Sequence, residues 1–362
     1  MLKPRETVRT LPSYHPPLAG RQGLRLDFNE NTVGCSPRVL DCLYHLDLEQ
    51  LAKYPEREPV EARIADFLGV TAAEVLLTNG IDEAIHLLCE TYLEPGDEAL
   101  IVVPTYSMYR IYAMAAGAEL VSAPLGANFQ FSLDALKSRI TGRTRLVAIA
   151  NPNNPTGTIV PPQALREIAR NAPAAAFLVD EAYFEFFGHS MLGTHRDFPN
   201  LFVTRTFSKA YGLAGLRAGV LVGDAGQMRS VRRVSSPYSV NAVALACLPA
   251  AISDQAYIRQ YVNEVLEARS ALERTLAAAG IQFWPSHANF VLARIGSSAA
   301  ESAAFVEQMR RRGILVRDRS ADHGCQGCVR ITLGPRAHTK RLLRALQETF
   351  EALGLAQGAS RP

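Results

Sequence analysis

The sequence has 362 residues, which is enough for one large and one smaller domain with a sizeable core. Its composition, 48% hydrophobic and 20% charged, is that of an ordinary globular protein. The net charge of +3 and the scattered lysines and arginines argue against a nucleic-acid partner. No apolar run reaches the length of a membrane span and the amino terminus lacks a signal-peptide core, so we expect a cytoplasmic protein without a membrane partner.

The six cysteines are spread along the chain and do not form a disulfide framework. Cys325 and Cys328 make the one suggestive pair. A zinc site would need a second pair of ligands at suitable spacing, and a redox role would need a thioredoxin-like context. Neither is evident, so we interpret the pair as incidental thiols and expect no metal.

The amino-terminal part predicts an extended arm rather than a separate domain. Residues 1–24, which include Tyr14, are rich in proline and polar side chains. The alternation over residues 24–28 predicts a strand, and Asn29 begins a turn that precedes a helix. A structural turn by itself accounts for these residues. Tyr54 follows a helical stretch and, taken alone, is typical of a packing residue.

Short apolar stretches alternate with helical ones between residues 75 and 222. This pattern predicts an α/β fold, with a mostly parallel sheet flanked by helices, in a large domain over residues 35–245. Ligands bind such sheets just past the carboxyl ends of the strands. The candidate functional residues at these ends are Gly80, Ile81, Asp82, Tyr106, Asn154, Asp180, Tyr183, Thr206, Ser208, Lys209 and Arg217.

The segment from Gly80 to Asp82 follows the apolar stretch 75–78. Gly80 allows a close approach of the backbone, and the free amides of Ile81 and Asp82 at the start of a helix would bind an anion. An ordinary strand–turn–helix connection gives the same pattern. We expect the Asp82 carboxylate to cap the helix, because facing an anion would be unfavourable.

Three further strand ends carry side chains with distinct chemistry. Tyr106 either stacks on a flat heteroaromatic ring or belongs to the core. Two Asn-Pro steps in residues 151–157 predict a rigid turn that presents Asn154. Asp180 leaves an apolar strand, where an unpaired carboxylate is costly, so it needs a cationic partner.

Lys209 is the residue around which the candidate site is organised. It follows the apolar stretch 201–203, and a buried lysine loses proton affinity and can become a nucleophilic amine. Thr206, Ser208 and Arg217 suit an anionic phosphate beside it. A solvated surface lysine is the alternative for this residue taken alone.

After about residue 245 the pattern predicts a smaller α+β domain over residues 246–362, completed by residues 1–34. Arg317 and Arg330 follow or interrupt apolar strands there, where arginines form either structural ion pairs or a site for an anionic ligand. The predicted elements are a long helix at 253–280, a helix at 300–312, and strands at 289–292, 314–316 and 329–332.

Three motifs together resemble the pyridoxal 5'-phosphate (PLP) enzymes of aspartate-aminotransferase fold type I. They are Asn154-Pro155-Thr156-Gly157, Asp180-x-x-Tyr183, and Ser208-Lys209 followed by Arg217. From Asp27 to Gly334 the chain is most similar to the histidinol-phosphate aminotransferase family. It departs from that family at Thr32, where proline is usual.

The resemblance implies a role for each candidate residue. Lys209 would hold PLP as a Schiff base, with Asp180 on the ring nitrogen and Tyr106 stacked on the ring. Asn154 and Tyr183 would contact the ring hydroxyl oxygen. Thr206, Ser208, Arg217 and the segment from Gly80 to Asp82 would bind the cofactor phosphate, with Tyr54 reaching across a homodimer, and the substrate would contact Tyr14, Asn29, Arg317 and Arg330.

The implied activity is ping-pong transfer of an amino group between L-histidinol phosphate and 2-oxoglutarate, in histidine biosynthesis. The same scaffold also resembles that of aromatic amino-acid aminotransferases, which are the alternative. Less favoured alternatives are a PLP-dependent phosphothreonine decarboxylase and a non-catalytic PLP-binding regulator. Such a regulator carries an added DNA-binding domain, for which we expect no room before the fold.

Overall fold

A sheet of seven strands forms the centre of the computed structural model, which describes residues 2–11 and 20–355. The strands in this part of the chain are β1 Leu24–Arg25, β2 Val75–Thr78, β3 Glu98–Val103, β4 Glu119–Pro124, β5 Thr144–Ala150, β6 Ala176–Asp180, β7 Leu201–Thr206, β8 Gly219–Val222, β9 Gln282–Trp284, β10 Phe290–Arg294, β11 Ile314–Leu315, β12 Arg317–Asp318 and β13 Cys328–Thr332. The central sheet has the order β2-β8-β7-β6-β5-β3-β4. Within it β8 runs opposite to the other six strands, which are parallel to one another.

Helices cover both faces of this sheet, because its strands are apolar on both sides. Along β3, Ala99 and Ile101 join one apolar cluster whereas Leu100 and Val102 join another, so alternate side chains enter different cores. The predicted α/β fold is thereby confirmed. The helices of the described residues are α1 Glu6–Arg9, α2 Pro37–Tyr44, α3 Leu48–Ala52, α4 Glu58–Leu68, α5 Gly80–Tyr92, α6 Ser107–Ala116, α7 Leu133–Lys137, α8 Pro162–Asn171, α9 Ala225–Val234, α10 Ala242–Ser253, α11 Gln255–Ala278, α12 Ala299–Arg311 and α13 Arg336–Leu353. None of them combines the length and apolar character needed to span a membrane.

A smaller antiparallel sheet with the order β12-β13-β10-β9 follows in the chain. α11 and α12 pack against it, and α13 packs against these two helices. The two-residue strand β1 pairs in parallel with β11, which joins the amino-terminal segment to this part of the molecule. The strand predicted over residues 24–28 is shorter than expected and covers only Leu24 and Arg25, and the chain turns at Asn29, which has a left-handed φ of 55°. The boundary predicted after residue 245 falls inside α10, and the division into domains remains a prediction.

The parallel strands bring distant residues to one edge of the central sheet. In the register, Ala150 at the end of β5 lies beside Asp180 at the end of β6, and Asp180 lies beside Thr204 of β7. The segments that carry Asn154, Asp180 and Lys209 therefore leave the sheet side by side.

Candidate active site

A cavity of about 700 Å³ opens at this edge of the sheet. It brings together most of the residues that the sequence singled out, although that grouping alone does not test their individual roles. The predicted residues that line it are Asn29, Ile81, Asp82, Tyr106, Asn154, Asp180, Tyr183, Thr206, Ser208, Lys209, Arg217, Arg317 and Arg330. Gly80 does not line the cavity but lies next to the Arg217 guanidinium. Tyr14 falls outside the described residues.

Lys209 is partly buried and extends into the cavity. Its Nζ donates to the carbonyl oxygen of Phe28 at 3.3 Å and lies 5.9 Å from the centre of the Tyr183 ring. Burial, followed by the nearby Arg330 guanidinium, lowers the pKa of Lys209 to about 8. An amine with this pKa is partly unprotonated near neutral pH, which suits a nucleophile or a base.

Asp180 is buried at the carboxyl end of β6, and no cation of the described residues forms an ion pair with it. Its Oδ1 accepts hydrogen bonds from the Thr204 hydroxyl at 3.1 Å and the Ala182 amide at 3.0 Å. Its Oδ2 accepts one from the Tyr109 hydroxyl at 2.5 Å. Burial raises the pKa of Asp180 to about 6 despite these donors.

The start of α5 and Arg217 lie against each other at a second corner of the cavity. Gly80 has a φ of +76°, which favours glycine, and a Cβ added there would lie 2.7 Å from Arg217 Nη2 and displace that guanidinium. The expected capping role of Asp82 is wrong, because its carboxylate accepts from Arg217 at 3.1 Å and from Tyr106 Oη at 2.7 Å. The first amides of α5 remain without helical acceptors beside this guanidinium, as an anion site requires.

Asn154 and Tyr183 also line the cavity, and each is held by one polar side chain. Arg330 Nη1 donates to Asn154 Oδ1 at 2.5 Å, and Asn29 Nδ2 donates to Tyr183 Oη at 2.8 Å. Burial raises the pKa of Tyr183, so its phenol stays protonated at neutral pH. Both groups can therefore donate to an oxygen placed between them.

Arginines are concentrated at the end of the cavity formed by the amino-terminal segment and β12–β13. Besides Arg317 and Arg330, this end includes Arg21, Arg25 and Arg319, which the sequence did not single out. Arg21 and Arg25 form ion pairs with Asp27 and Glu30, and Arg319 forms one with Asp322. Arg319 lies two residues after Arg317 and therefore on the same side of an extended chain, a signal that could have found it. Arg21 lies in the irregular arm, where no pattern indicated a site.

Tyr54 does not line this cavity. Its side chain is 78% exposed, and its ring stacks on that of Tyr238 with centroids 4.3 Å apart. Within one subunit the predicted contact between Tyr54 and the cofactor site is therefore not made. The assignment depends on a second subunit and remains a prediction.

Cys325 and Cys328 are buried away from the cavity in an apolar cluster with Trp284 and Phe129. The amide of Cys328 donates to the carbonyl oxygen of Cys325 at 2.9 Å, which closes a tight turn. In the part of the chain that the structure describes, no three His, Cys, Asp or Glu side chains are grouped to bind a metal.

Comparison with known proteins places this geometry in a family. The model of the family "Aminotransferase class I and II" matches residues 21–346. A histidinol-phosphate aminotransferase of Roseobacter denitrificans is 39% identical over 89% of this chain and 90% of the relative. One from Geobacillus sp. is 34% identical over 95% of this chain and 97% of the relative.

The solved structures agree with this result. The histidinol-phosphate aminotransferase of Sinorhizobium meliloti, in complex with PLP, matches with a TM-score of 0.87 at 26% identity and covers 98% of this chain and 99% of that chain. The chain belongs to the class I and II aminotransferases, a family of PLP-dependent enzymes. Its fold is the type I fold that the motifs implied.

The residues of the cavity fit this cofactor. The buried Asp180 carboxylate has no ion-pair partner among the described residues and needs a cation. The protonated ring nitrogen of PLP would supply that cation. Arg217 and the start of α5 suit a phosphate. Lys209, which lines the same cavity, supplies an amine of lowered pKa.

Proposed function

We propose that this protein is a histidinol-phosphate aminotransferase that transfers an amino group between L-histidinol phosphate and 2-oxoglutarate. The proposal extends to a cytoplasmic homodimer acting in histidine biosynthesis. The observation that carries the substrate assignment is the pair Arg317 and Arg330, which line the cavity side by side and form no ion pair among the described residues, and which therefore suit a phosphate at the far end of the substrate. The identities of the curated relatives over most of the chain support it.

The residues that would hold the cofactor follow from their chemistry. Asp180 would pair with the ring nitrogen, Asn154 and Tyr183 would bind the ring hydroxyl oxygen, and Tyr106 would stack on the ring. Thr206, Ser208, Arg217 and the amides from Gly80 to Asp82 would bind the phosphate. When bound, PLP supplies an electron sink for the reacting carbon of the substrate.

Lys209 would carry the proton transfer. Its amine would remove a proton from the substrate carbon that bears the nitrogen and return a proton as product forms. The lowered pKa of about 8 keeps part of this amine available as a base near neutral pH. Residues 28–30 and the arginines around the amine would limit the access of water.

The arginine side chains would orient the substrate. Arg330 is 6% exposed, and its Nε has no acceptor among the described residues. Burial and the neighbouring Arg319 lower the pKa of Arg330 to about 10, so the guanidinium is charged at neutral pH and favours an anion. Arg317 lies beside it in the register of β12 and β13 and would supply a second positive charge.

A half-reaction with the purified PLP form tests the proposal. Histidinol phosphate, phenylalanine, tyrosine, glutamate and phosphothreonine are added separately, and the loss of the lysine-bound cofactor absorbance and the release of carbon dioxide are followed. We expect fast loss with histidinol phosphate and slow loss with the aromatic amino acids. The reverse order would indicate an aromatic aminotransferase. Release of carbon dioxide from phosphothreonine would indicate a decarboxylase, and PLP binding without turnover of any substrate would indicate a regulator.

An exposed apolar surface supports the homodimer. Of eleven large hydrophobic side chains exposed among the described residues, eight lie in residues 33–54 and 234–238. Exposed apolar groups concentrated in this way are typical of an interface between subunits. Tyr54 and Tyr238 belong to this surface, so a second subunit would bury them and could bring Tyr54 to the neighbouring cavity.

Mixed dimers provide a test of the shared site. If sites are shared, each one combines Lys209 of one subunit with Tyr54 of the other. A dimer of one Tyr54→Ala subunit and one Lys209→Ala subunit would then contain one site in which both residues are intact. We expect the two inactive or impaired proteins, after dissociation and reassociation, to regain up to about half of the activity per mixed dimer. Distinct tags on the two subunits verify that mixed dimers form, and their presence without recovery would contradict sharing.

A further inference from the structure

Tyr109 is a buried polar residue at the cavity that the proposed reaction has not used. It lies on α6, three residues after Tyr106, and its side chain is fully buried. Its hydroxyl donates to Asp180 Oδ2 at 2.5 Å, the shortest of the three hydrogen bonds that the carboxylate accepts. Charge-assisted O–H···O⁻ bonds of this length are among the strong ones in proteins.

The acceptor positions of the carboxylate can be counted. Each oxygen of an ionised carboxyl group offers two lone pairs. Both positions of Asp180 Oδ1 are taken, by the Thr204 hydroxyl and the Ala182 amide. Oδ2 has one position taken by Tyr109, which leaves one available.

We propose that Tyr109 is a positioning residue that keeps Asp180 ionised and leaves one acceptor position of Oδ2 for the ring nitrogen of the cofactor. The inference rests on the proposed function, since it concerns the PLP of that same site. Tyr109 itself acts only through Asp180. Among the described residues, the Tyr109 hydroxyl has no acceptor other than Asp180, so its proton is directed to that carboxylate.

The direction of the effect follows from two opposing influences on Asp180. Burial disfavours the carboxylate, whereas the donation from Tyr109 favours it. Loss of the hydroxyl therefore raises the pKa of Asp180 further, and the carboxyl group loses its charge at a higher pH. The other titratable groups that act on this pair are Asp82, Tyr106 and Tyr183, while Lys209 and Arg217 face the same cavity, and all of them remain in the variant.

Tyr109→Phe tests the inference because it removes one oxygen and keeps the ring. PLP binding to the full-length protein, freed of cofactor, is titrated by absorbance from pH 5 to 9 for the wild type and the variant. We expect the loss of affinity at low pH to begin about one pH unit higher in Tyr109→Phe. The affinity should be about twofold lower at pH 7, should approach about tenfold lower near pH 5, and should match that of the wild type toward pH 9.

Tyr92→Phe is the matched control. Tyr92 also donates its hydroxyl to a side chain, that of Gln227 at 2.9 Å, but it lies outside the cavity. We expect its PLP affinity to follow the wild type at every pH. The acid side of the pH profile of kcat gives a second readout, which should move upward with Tyr109→Phe alone.

The outcomes separate the inference from the proposed function. A constant ratio of affinities at all pH values would mean that Tyr109 acts only by packing, which overturns the inference alone. Absence of PLP binding by the wild type would overturn both. If Tyr109→Phe does not fold, Thr204→Val is the second test, because it removes a hydrogen-bond donor from Asp180 Oδ1. We expect it to shift the pH dependence of PLP affinity in the same direction by a smaller amount. A pH dependence parallel to that of the wild type would contradict the opposing effects of burial and hydrogen bonding on Asp180.

Discussion

Lys209→Ala is expected to abolish transamination while the fold persists. The variant removes both the amine that would bind the cofactor and the base that would move the proton, so kcat should fall by at least about 10⁴-fold. Its cofactor-free form should unfold at the same temperature as the wild type or a higher one. Burial lowers the pKa of Lys209 to about 8, so holding a charged ammonium in the folded protein at pH 7 is unfavourable.

Two measurements check this expectation. Single-turnover kinetics with histidinol phosphate measure the chemical step, and thermal unfolding by circular dichroism measures the fold. Lys137→Ala serves as the control, because Lys137 lies outside the cavity beside Glu167 and should leave both quantities near the wild type. Substantial transamination by Lys209→Ala would remove Lys209 from the proposed role.

Asp180→Asn is expected to have the second largest effect. Asparagine keeps the size of the side chain but removes the charge that would pair with the ring nitrogen. Breaking a buried ion pair from one side costs about 3–5 kcal/mol, which corresponds to a kcat lower by roughly 10²- to 10⁴-fold. Steady-state kinetics measure this loss, and Asp197→Asn, at an exposed carboxylate paired with Arg166, is the control. A kcat within a few-fold of the wild type would contradict the pairing.

The same variant should stabilise the cofactor-free protein in a pH-dependent way. Burial raises the pKa of Asp180 from 3.8 to about 6, so the folded state binds this proton more tightly than the unfolded state. The ionised carboxylate therefore weakens the fold above about pH 6, and this penalty disappears below pH 3.8. Asp180→Asn should raise the free energy of unfolding by roughly 1–3 kcal/mol at pH 8 and by much less near pH 4.

Urea unfolding at pH 4, 6 and 8 measures this difference. An equal gain at all three pH values would indicate that the charge of Asp180 is not its cause. A variant that is more stable and less active would mean that the buried carboxylate is retained for chemistry at a cost to the fold.

A large part of the candidate site was predictable because its residues follow short apolar strands. Asn154 and Lys209 follow β5 and β7, and Asp180 is the last residue of β6; parallel neighbours necessarily present their carboxyl ends at one edge. The long helix α11 and the strands β10 and β13 were likewise predicted close to their observed bounds. These features depend on local periodicity, which a single sequence records.

Tyr109 was missed although the helical period placed it on the same side of α6 as Tyr106. An aromatic residue at that spacing is normally core, and its hydrogen bond to Asp180 joins residues 71 positions apart. Asp82 was assigned to a helix cap for a related reason, since its partner Arg217 lies 135 positions away. Such partners depend on how α5, α6 and the strand ends approach each other.

The sequence by itself determined the class of fold, the order of its elements and the residues at the strand ends, because these follow from apolar periodicity and turn-forming residues along the chain. Only the tertiary structure decided which polar groups pair at the site, that Arg21 and Arg319 join Arg317 and Arg330, and that Tyr54 lies outside the cavity of its own subunit. Those facts depend on the packing of segments far apart in the sequence, where the cost of burying a charge or a hydroxyl selects one partner among many.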